Sequence, residues 1–253
     1  MHRLRTTSLL CALLAAALPA QAQQTVLRVM AQESIAPKWI MKGRHAEGLC
    51  PDILAALEKT EPRLRFTGTS EARSVPLIEK ELEAGNLDVA CALLDTAHRQ
   101  EIAQIVGKPL YSVRHRIAAA IGDTAVVNGY DDLVKLNPLI NTSRGAGYTD
   151  QLRALGLQVD DSTGDNALNL RKILAGHGRF MYMNQLTLNW FIKSGHLQDK
   201  IRILPVVFKE EPVYFWVSRK APPATVRLVD DALGRLSASG ELARIYERWA
   251  GAK

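Results

Sequence analysis

The sequence predicts an α/β fold of two lobes, each a mostly parallel sheet flanked by helices, joined by a two-strand hinge. Strand-like and helix-like segments alternate along the chain in two successive runs of the same rhythm. Such alternation builds helix-covered parallel sheets through right-handed crossovers. Two extended apolar segments, 114–121 and 213–219, sit where the chain would leave one lobe and return to it. With 253 residues, 47% hydrophobic and 23% charged, the composition is ordinary for a globular chain and excludes disorder and fibrous repeats.

Residues 1–22 open with Arg3 and Arg5, run apolar from Leu9 to Leu18 and end in Ala20-Gln21-Ala22. That is the pattern of a secretory signal peptide cleaved after Ala22. The apolar run is about ten residues long, half of what a membrane-spanning helix needs. Cleavage leaves 30 basic against 26 acidic residues, a net charge of +4. The basic residues are interleaved with acidic ones, as in Glu79-Lys80-Glu81, so the surface reads as mixed, and export argues against nucleic acid as a partner. Of three cysteines, Cys11 leaves with the leader. Cys50 and Cys91 remain in an oxidising compartment, either bonded to each other or as two separate core residues.

The mature chain starts with a β-prone segment, 26–31, then a loop holding Pro37 and Trp39. A helix follows at 50–59, with Pro51 in the first turn, where its missing N–H costs nothing. A short strand at 64–67 precedes an amphipathic helix at 75–84 stopped by Gly85. Residues 87–94 are nearly all apolar, as in a strand covered on both faces. The second run reads helix 130–134, strand 139–142, helix 148–154, helix 167–175 capped by Asp165-Asn166, strand 180–183, helix 186–192 and strand 201–207. A terminal helix pair covers 224–237 and 240–250, the latter with Leu242, Ile245, Tyr246 and Trp249 on one face. These elements place lobe 1 at 23–117 plus 217–253 and lobe 2 at 118–216.

Five motifs occur in a recognisable order: Gly48-Leu49-Cys50-Pro51-Asp52-Ile53, Leu82-Glu83-Ala84-Gly85-Asn86-Leu87-Asp88, Thr96-Ala97-His98-Arg99, Pro109-Leu110-Tyr111, and the stretch from Gly240 through Leu242 and Ile245 to Trp249. Together, behind a secretory leader, they resemble the family 3 extracellular solute-binding proteins, periplasmic receptors of amino-acid-type ABC importers. The resemblance covers nearly the whole mature chain. It implies a two-lobed periplasmic binding protein-like fold of type II, a periplasmic location, a monomer, and a non-catalytic function of delivering a small ligand to an ABC permease.

Ligands of open α/β sheets sit beyond the carboxyl ends of the strands. Asp95, Thr96 and Arg99 follow the strand 87–94 and so lie at that end. The resemblance places the ligand-carboxylate arginine at Arg99, whose planar fork suits such an anion. Trp39 falls where the family presents an aromatic platform. On the opposite lobe, Arg144, Gly145 and Tyr148 belong to a Gly-rich turn between strand and helix, where backbone N–H groups and a cation can face an anion.

Two departures bear on the ligand. Arg179 and Asn184 occupy the positions of two family aspartates, and a neutral amide does not offset an ammonium as a carboxylate does. Ala92-Leu93-Leu94 replaces a short polar run. Both departures argue against an α-amino acid ligand, and two cationic sites facing one cleft argue for a small anionic, carboxylate-bearing one; Asp95 is placed either to take an ammonium or to cap a turn. In the resembled fold a Cys50–Cys91 bridge would pin the first helix to the sheet. No motif calls for a cofactor or a metal. An enzyme resembling the periplasmic cyclohexadienyl dehydratases would need an acid or base from His45, His98, His177 or Asp95. A sensor or accessory subunit without transport would share the same site.

Overall fold

The computed structural model describes residues 24–250, so the predicted leader and Cys11 lie outside the described residues. In chain order the first half comprises β1 (Thr25–Arg28), β2 (Ala31–Gln32), β3 (Ile40–Lys42), β4 (His45–Glu47), α1 (Leu49–Thr60), β5 (Leu64–Thr67), β6 (Ala72–Arg73), α2 (Val75–Ala84), β7 (Val89–Leu94) and α3 (Ala97–Ile102). Next come the long β8 (Ala103–Ala120), α4 (Tyr130–Leu136), β9 (Leu139–Asn141), α5 (Thr149–Ala154), β10 (Gln158–Asp160), α6 (Asn166–Leu174), β11 (Phe180–Asn184), α7 (Gln185–Ser194) and β12 (Ile201–Ile203). β13 (Lys209–Ser218), α8 (Pro223–Ala238) and α9 (Glu241–Ala250) close the chain.

β1 and β5 pair in parallel. Asp88, just ahead of β7, joins that pair to the next strand: its N–H donates to the Arg28 carbonyl, and its carboxylate accepts from the Arg28 backbone and guanidinium. Seven strands form one sheet in the order β10-β9-β11-β8-β13-β7, with β12 also on β8, while β2 pairs with β6 and β3 with β4 in two small sheets. β8 is antiparallel to β13 from Ala103 to His115, then antiparallel to β11 from His115 to Ala119. His115 is thus where β8 changes partners, and β8 and β13 are the two strands that pass between the lobes.

The structure bears out α2 at 75–84 with its C-cap at Gly85, φ 78°, and adds Pro76 in its first turn. Asp165 caps α6 by accepting from the Leu168 N–H. The crossing strands begin earlier than the apolar segments suggest. Gly107 and Pro109 read as strand breakers, yet β8 runs through both, because a register shift against β13 absorbs the irregularity. Gly107 takes φ 69°, donates its N–H to Asp230 and leaves no room for a Cβ, which would lie 2.9 Å from Leu233.

The lobe 1 core is built from the 3–4-residue spacing on α1. Leu49, Ile53 and Leu57 are fully buried and join Leu27, Val29, Val229, Leu233 and Ile245 in one cluster. The lobe 2 core gathers Ile117, Leu133, Ile140, Leu152, Phe180 and Tyr182. Cys50 and Cys91 are disulfide-bonded, with Cα atoms 5.9 Å apart, and tie the start of α1 to β7.

That bridge closes a loop of 41 residues, which restricts the unfolded chain by about 3–4 kcal/mol in the chain-entropy account. The double variant Cys50→Ala/Cys91→Ala is expected to unfold on the order of 10 °C lower, as read by circular dichroism melting. An unchanged midpoint would contradict it.

Candidate functional site

A cavity of about 650 Å³, counting the part that opens to solvent, lies where β7, β8, β11 and β13 meet the loops of both lobes. Arg99 reaches it because Thr96 caps α3, its hydroxyl accepting from the Arg99 N–H at 3.3 Å, which starts the helix at the carboxyl end of β7. The guanidinium is 4% exposed. Its Nε donates to Glu79 Oε1 on α2 at 2.7 Å and its Nη1 to the Leu94 carbonyl at 2.8 Å, while Nη2 has no partner among the described residues. Burial pushes the Arg99 pKa down and the Glu79 carboxylate partly restores it.

Lys38 supplies a second buried cation. The Lys38 N–H donates to Ile35 O, while Pro37 O and Lys38 O accept from the N–H groups of Leu49 and Cys50 at the start of α1. Gly48 permits this approach: at φ 125°, a Cβ there would lie 2.4 Å from Pro37 O. The clamped turn sends the Lys38 side chain inward, where Nζ donates to the Ala92 carbonyl at 2.9 Å. Ala92 has φ 58°, unusual for a residue with a Cβ, at the irregular step of β7 against β13. Lys38 forms no ion pair among the described residues. Burial, reinforced by the Arg99 charge, lowers its pKa from 10.5 to about 7.

Lobe 2 closes the far side. Arg144, Gly145, Tyr148 and Asn184 all line the cavity. Arg144 is exposed, its guanidinium donates to Ser162 O, and the N–H groups of Arg144 and Ala146 are taken by Thr163 O and Ser143 O. Asn184 caps α7 by accepting from the Thr187 N–H at 2.9 Å. The lobes touch. A Cβ at Gly145 would lie 2.6 Å from Pro76, and one at Gly147 would lie 3.0 Å from Thr96 and 3.2 Å from Arg99 Nη1. At the rim, the Asn166 N–H donates to Ser34 Oγ at 2.8 Å.

Trp39, Asp95 and Thr96 do not line this cavity. Trp39 is buried in the lobe 1 core, and Asp95 is exposed and accepts from Gln100. Arg179, at a family aspartate position, pairs with Asp123 at 2.7 Å and is exposed. His45, His98 and His177 are all exposed and away from the cavity. The histidine that lines it is His115, 1% exposed, with Nε2 3.1 Å from Glu211 Oε2 and its ring stacked on Tyr182. Burial raises the Glu211 pKa, and the His115 and Lys209 contacts outweigh that, leaving it below the usual carboxylate value. Sequence reasoning passes over Lys38 and His115 because neither stands in a motif. The only local signals are Gly48, which shapes the turn holding Lys38, and the crossing-strand position of His115.

Over residues 27–252 the sequence matches the family described as bacterial extracellular solute-binding proteins, family 3. The chain belongs to that family. Among solved structures, this solute-binding protein superposes on a histidine kinase sensor domain similar to periplasmic binding proteins, with TM-score 0.77 and 16% identity over 90% of this chain and 97% of the other. It superposes on an amino acid ABC transporter substrate-binding protein from Streptococcus pneumoniae bound to L-arginine, with TM-score 0.73 and 15% identity over 90% and 95%. An ancestral amino acid-binding protein, a precursor of cyclohexadienyl dehydratase, gives TM-score 0.71 and 18% identity over 88% and 95%. No curated protein matches the sequence. At these identities the likeness establishes the fold.

Two outcomes are expected from the cleft geometry. The folded pKa of Lys38, about 7, lies below its ordinary 10.5. Its charge therefore costs stability in full below pH 7, and the cost fades as pH rises toward 10.5. Lys38→Met should stabilise the empty protein on the order of 4 kcal/mol at pH 6.5, with a gain that shrinks by pH 10. A pH-independent difference in denaturant midpoints would contradict this. Gly147→Val fills the space between the lobes at a backbone conformation that accepts a side chain. Small-angle scattering should give it a larger radius of gyration than the parent, with the unfolding midpoint within about 3 °C. An identical radius would mean that this contact does not hold the lobes together.

Proposed function

We propose that this family 3 protein is a periplasmic solute-binding protein that captures a small carboxylate-bearing anion between its lobes and delivers it, as a monomer, to an ABC permease. One observation carries the reading. The cavity is lined by Lys38, Arg99 and Arg144 and by no aspartate or glutamate, although all 26 carboxylate side chains of the sequence fall within the described residues. A buried cation without a counter-ion is costly, and an anionic ligand would remove that cost. Arg99 is the central anchor, its free Nη2 and the adjoining Nη1 edge suiting a carboxylate. Arg144, Gly145, Tyr148 and Asn184 close over it from lobe 2. The contacts of Gly145 and Gly147 with lobe 1 support capture by closure on the β8–β13 pair.

The same pocket would serve a sensor that presents its closed form to a protein partner. His115 beside Glu211 is the one acid–base pair at the cavity that a dehydratase-like reading could use, and turnover of prephenate or arogenate would establish that reading instead.

Thermal unfolding against a panel of amino acids, small carboxylates and organic phosphates tests the binding function. A shift is expected with one class of carboxylate, reduced at least tenfold in ligand sensitivity in Arg99→Ala. No shift with any compound would overturn the proposal.

A further inference from the structure

We infer that the ligand is a carboxylate with an apolar body and no ammonium group, that Lys38 shares its carboxylate with Arg99, and that binding draws a proton onto Lys38. This deepens the proposed function and rests on it. The two cationic heads are held by the carbonyls of Ala92 and Leu94, two residues apart on one strand, or about 7 Å at the usual strand rise. That span lets both reach one carboxylate. An α-amino acid would bring its ammonium to the same place, and no carboxylate lines the cavity to offset it. Glu79 is engaged by Arg99 behind the cavity wall, and Glu211 lies between His115 and Lys209. Asp95, the remaining acidic group near the end of β7, is exposed and turned to Gln100.

Much of the rest of the wall is apolar, with Gln32, Ser143, Thr187 and Asn184 as its neutral polar side chains and His115 beside Glu211. Leu93, Leu94, Tyr111, Val113, Met183 and Val213 line it from four strands. This is where a family receptor would carry a polar run and an acidic residue, and where this sequence has Ala92-Leu93-Leu94 and Asn184. A ligand tail that entered with an ammonium would lose its hydration against these side chains with no carboxylate among the lining residues to pair with it.

The proton follows from the same geometry. The titratable and charged groups that line the cavity with Lys38 are Arg99 from α3, His115 and Tyr111 from β8, and Arg144 and Tyr148 from lobe 2. None is a carboxylate, so beyond the Ala92 carbonyl no counter-ion supports the Lys38 charge, and burial beside Arg99 lowers its pKa to about 7. A carboxylate beside Nζ favours the ammonium form. Above pH 7 the bound state therefore holds a proton the empty state lacks, and affinity falls as pH rises, approaching tenfold per unit.

Isothermal titration calorimetry with matched pairs tests this: hexanoate against norleucine, 3-phenylpropanoate against phenylalanine, and glutarate as the dicarboxylate. Titrations in buffers of different ionisation enthalpy at pH 8.5 count protons. The expected result is that one deamino compound binds at least tenfold tighter than its amino acid, taking up close to one proton. Lys38→Met should then bind it about 30-fold or more weakly, without the proton uptake and with a thermal midpoint no lower than the parent's. Tighter binding of the amino acid, tighter binding of glutarate than hexanoate, or unchanged affinity in a folded Lys38→Met overturns the inference and leaves the solute-binding reading in place. Binding by none of the compounds fails that reading, and the inference with it.

Discussion

Two strands carry the whole architecture. β8 and β13 run antiparallel from Ala103–Ser218 at one end to His115–Lys209 at the other, and beyond that point β8 continues alone into the sheet of lobe 2. Several of the groups in the cleft are positioned by attachment to this ribbon or to the strand beside it. β7 hangs on β13 and carries Ala92 and Leu94, whose carbonyls hold the two buried cations. β11 hangs on β8 and leads into Asn184 at the opposite wall. A two-strand connection is also the geometry about which lobes can move as bodies while their cores stay packed.

The electrostatics of the cleft run against stability. Burying Lys38 and Arg99 close together with one carboxylate between them leaves the empty protein with an unbalanced charge in an apolar wall. Binding sites tolerate such costs because the ligand removes them, and the surrounding structure must be firm enough to keep the cations from swinging out. Here the firmness comes from the Cys50–Cys91 bond, the clamp of the Pro37 and Lys38 carbonyls on α1, and the Arg28–Asp88 pair behind β7. The disulfide joins the helix and strand that present Lys38 and its acceptor. A covalent tie at that place limits relaxation of the cleft more than one elsewhere would.

Much of lobe 1 and lobe 2 was legible in the sequence because helix periodicity and cap residues are local. α2 with its Gly85 cap and α6 with its Asp165 cap are clear examples. The small pairs β2–β6 and β3–β4 were not legible, since strands of two or three residues carry no measurable alternation. The full length of β8 was hidden by Gly107 and Pro109, which break an isolated strand but not one held against β13 and α8. In the site, Arg99 was readable from its motif. Trp39 was not, because a loop tryptophan can face a ligand or a core, and here the core of lobe 1 takes it. Lys38 lies one residue away and turns the other way.

The sequence alone determined the α/β class, most of the longer helices and strands, the terminal helix pair and an arginine at the end of a buried strand, because each depends on neighbours within one turn or one strand. The tertiary structure alone decided which cations share the cleft. Lys38 and Arg99 are 61 positions apart, and their meeting depends on a disulfide, a strand bulge and a glycine-permitted loop acting together. Charge in a cleft is a sum over residues brought together from across the chain, and no local pattern encodes that sum.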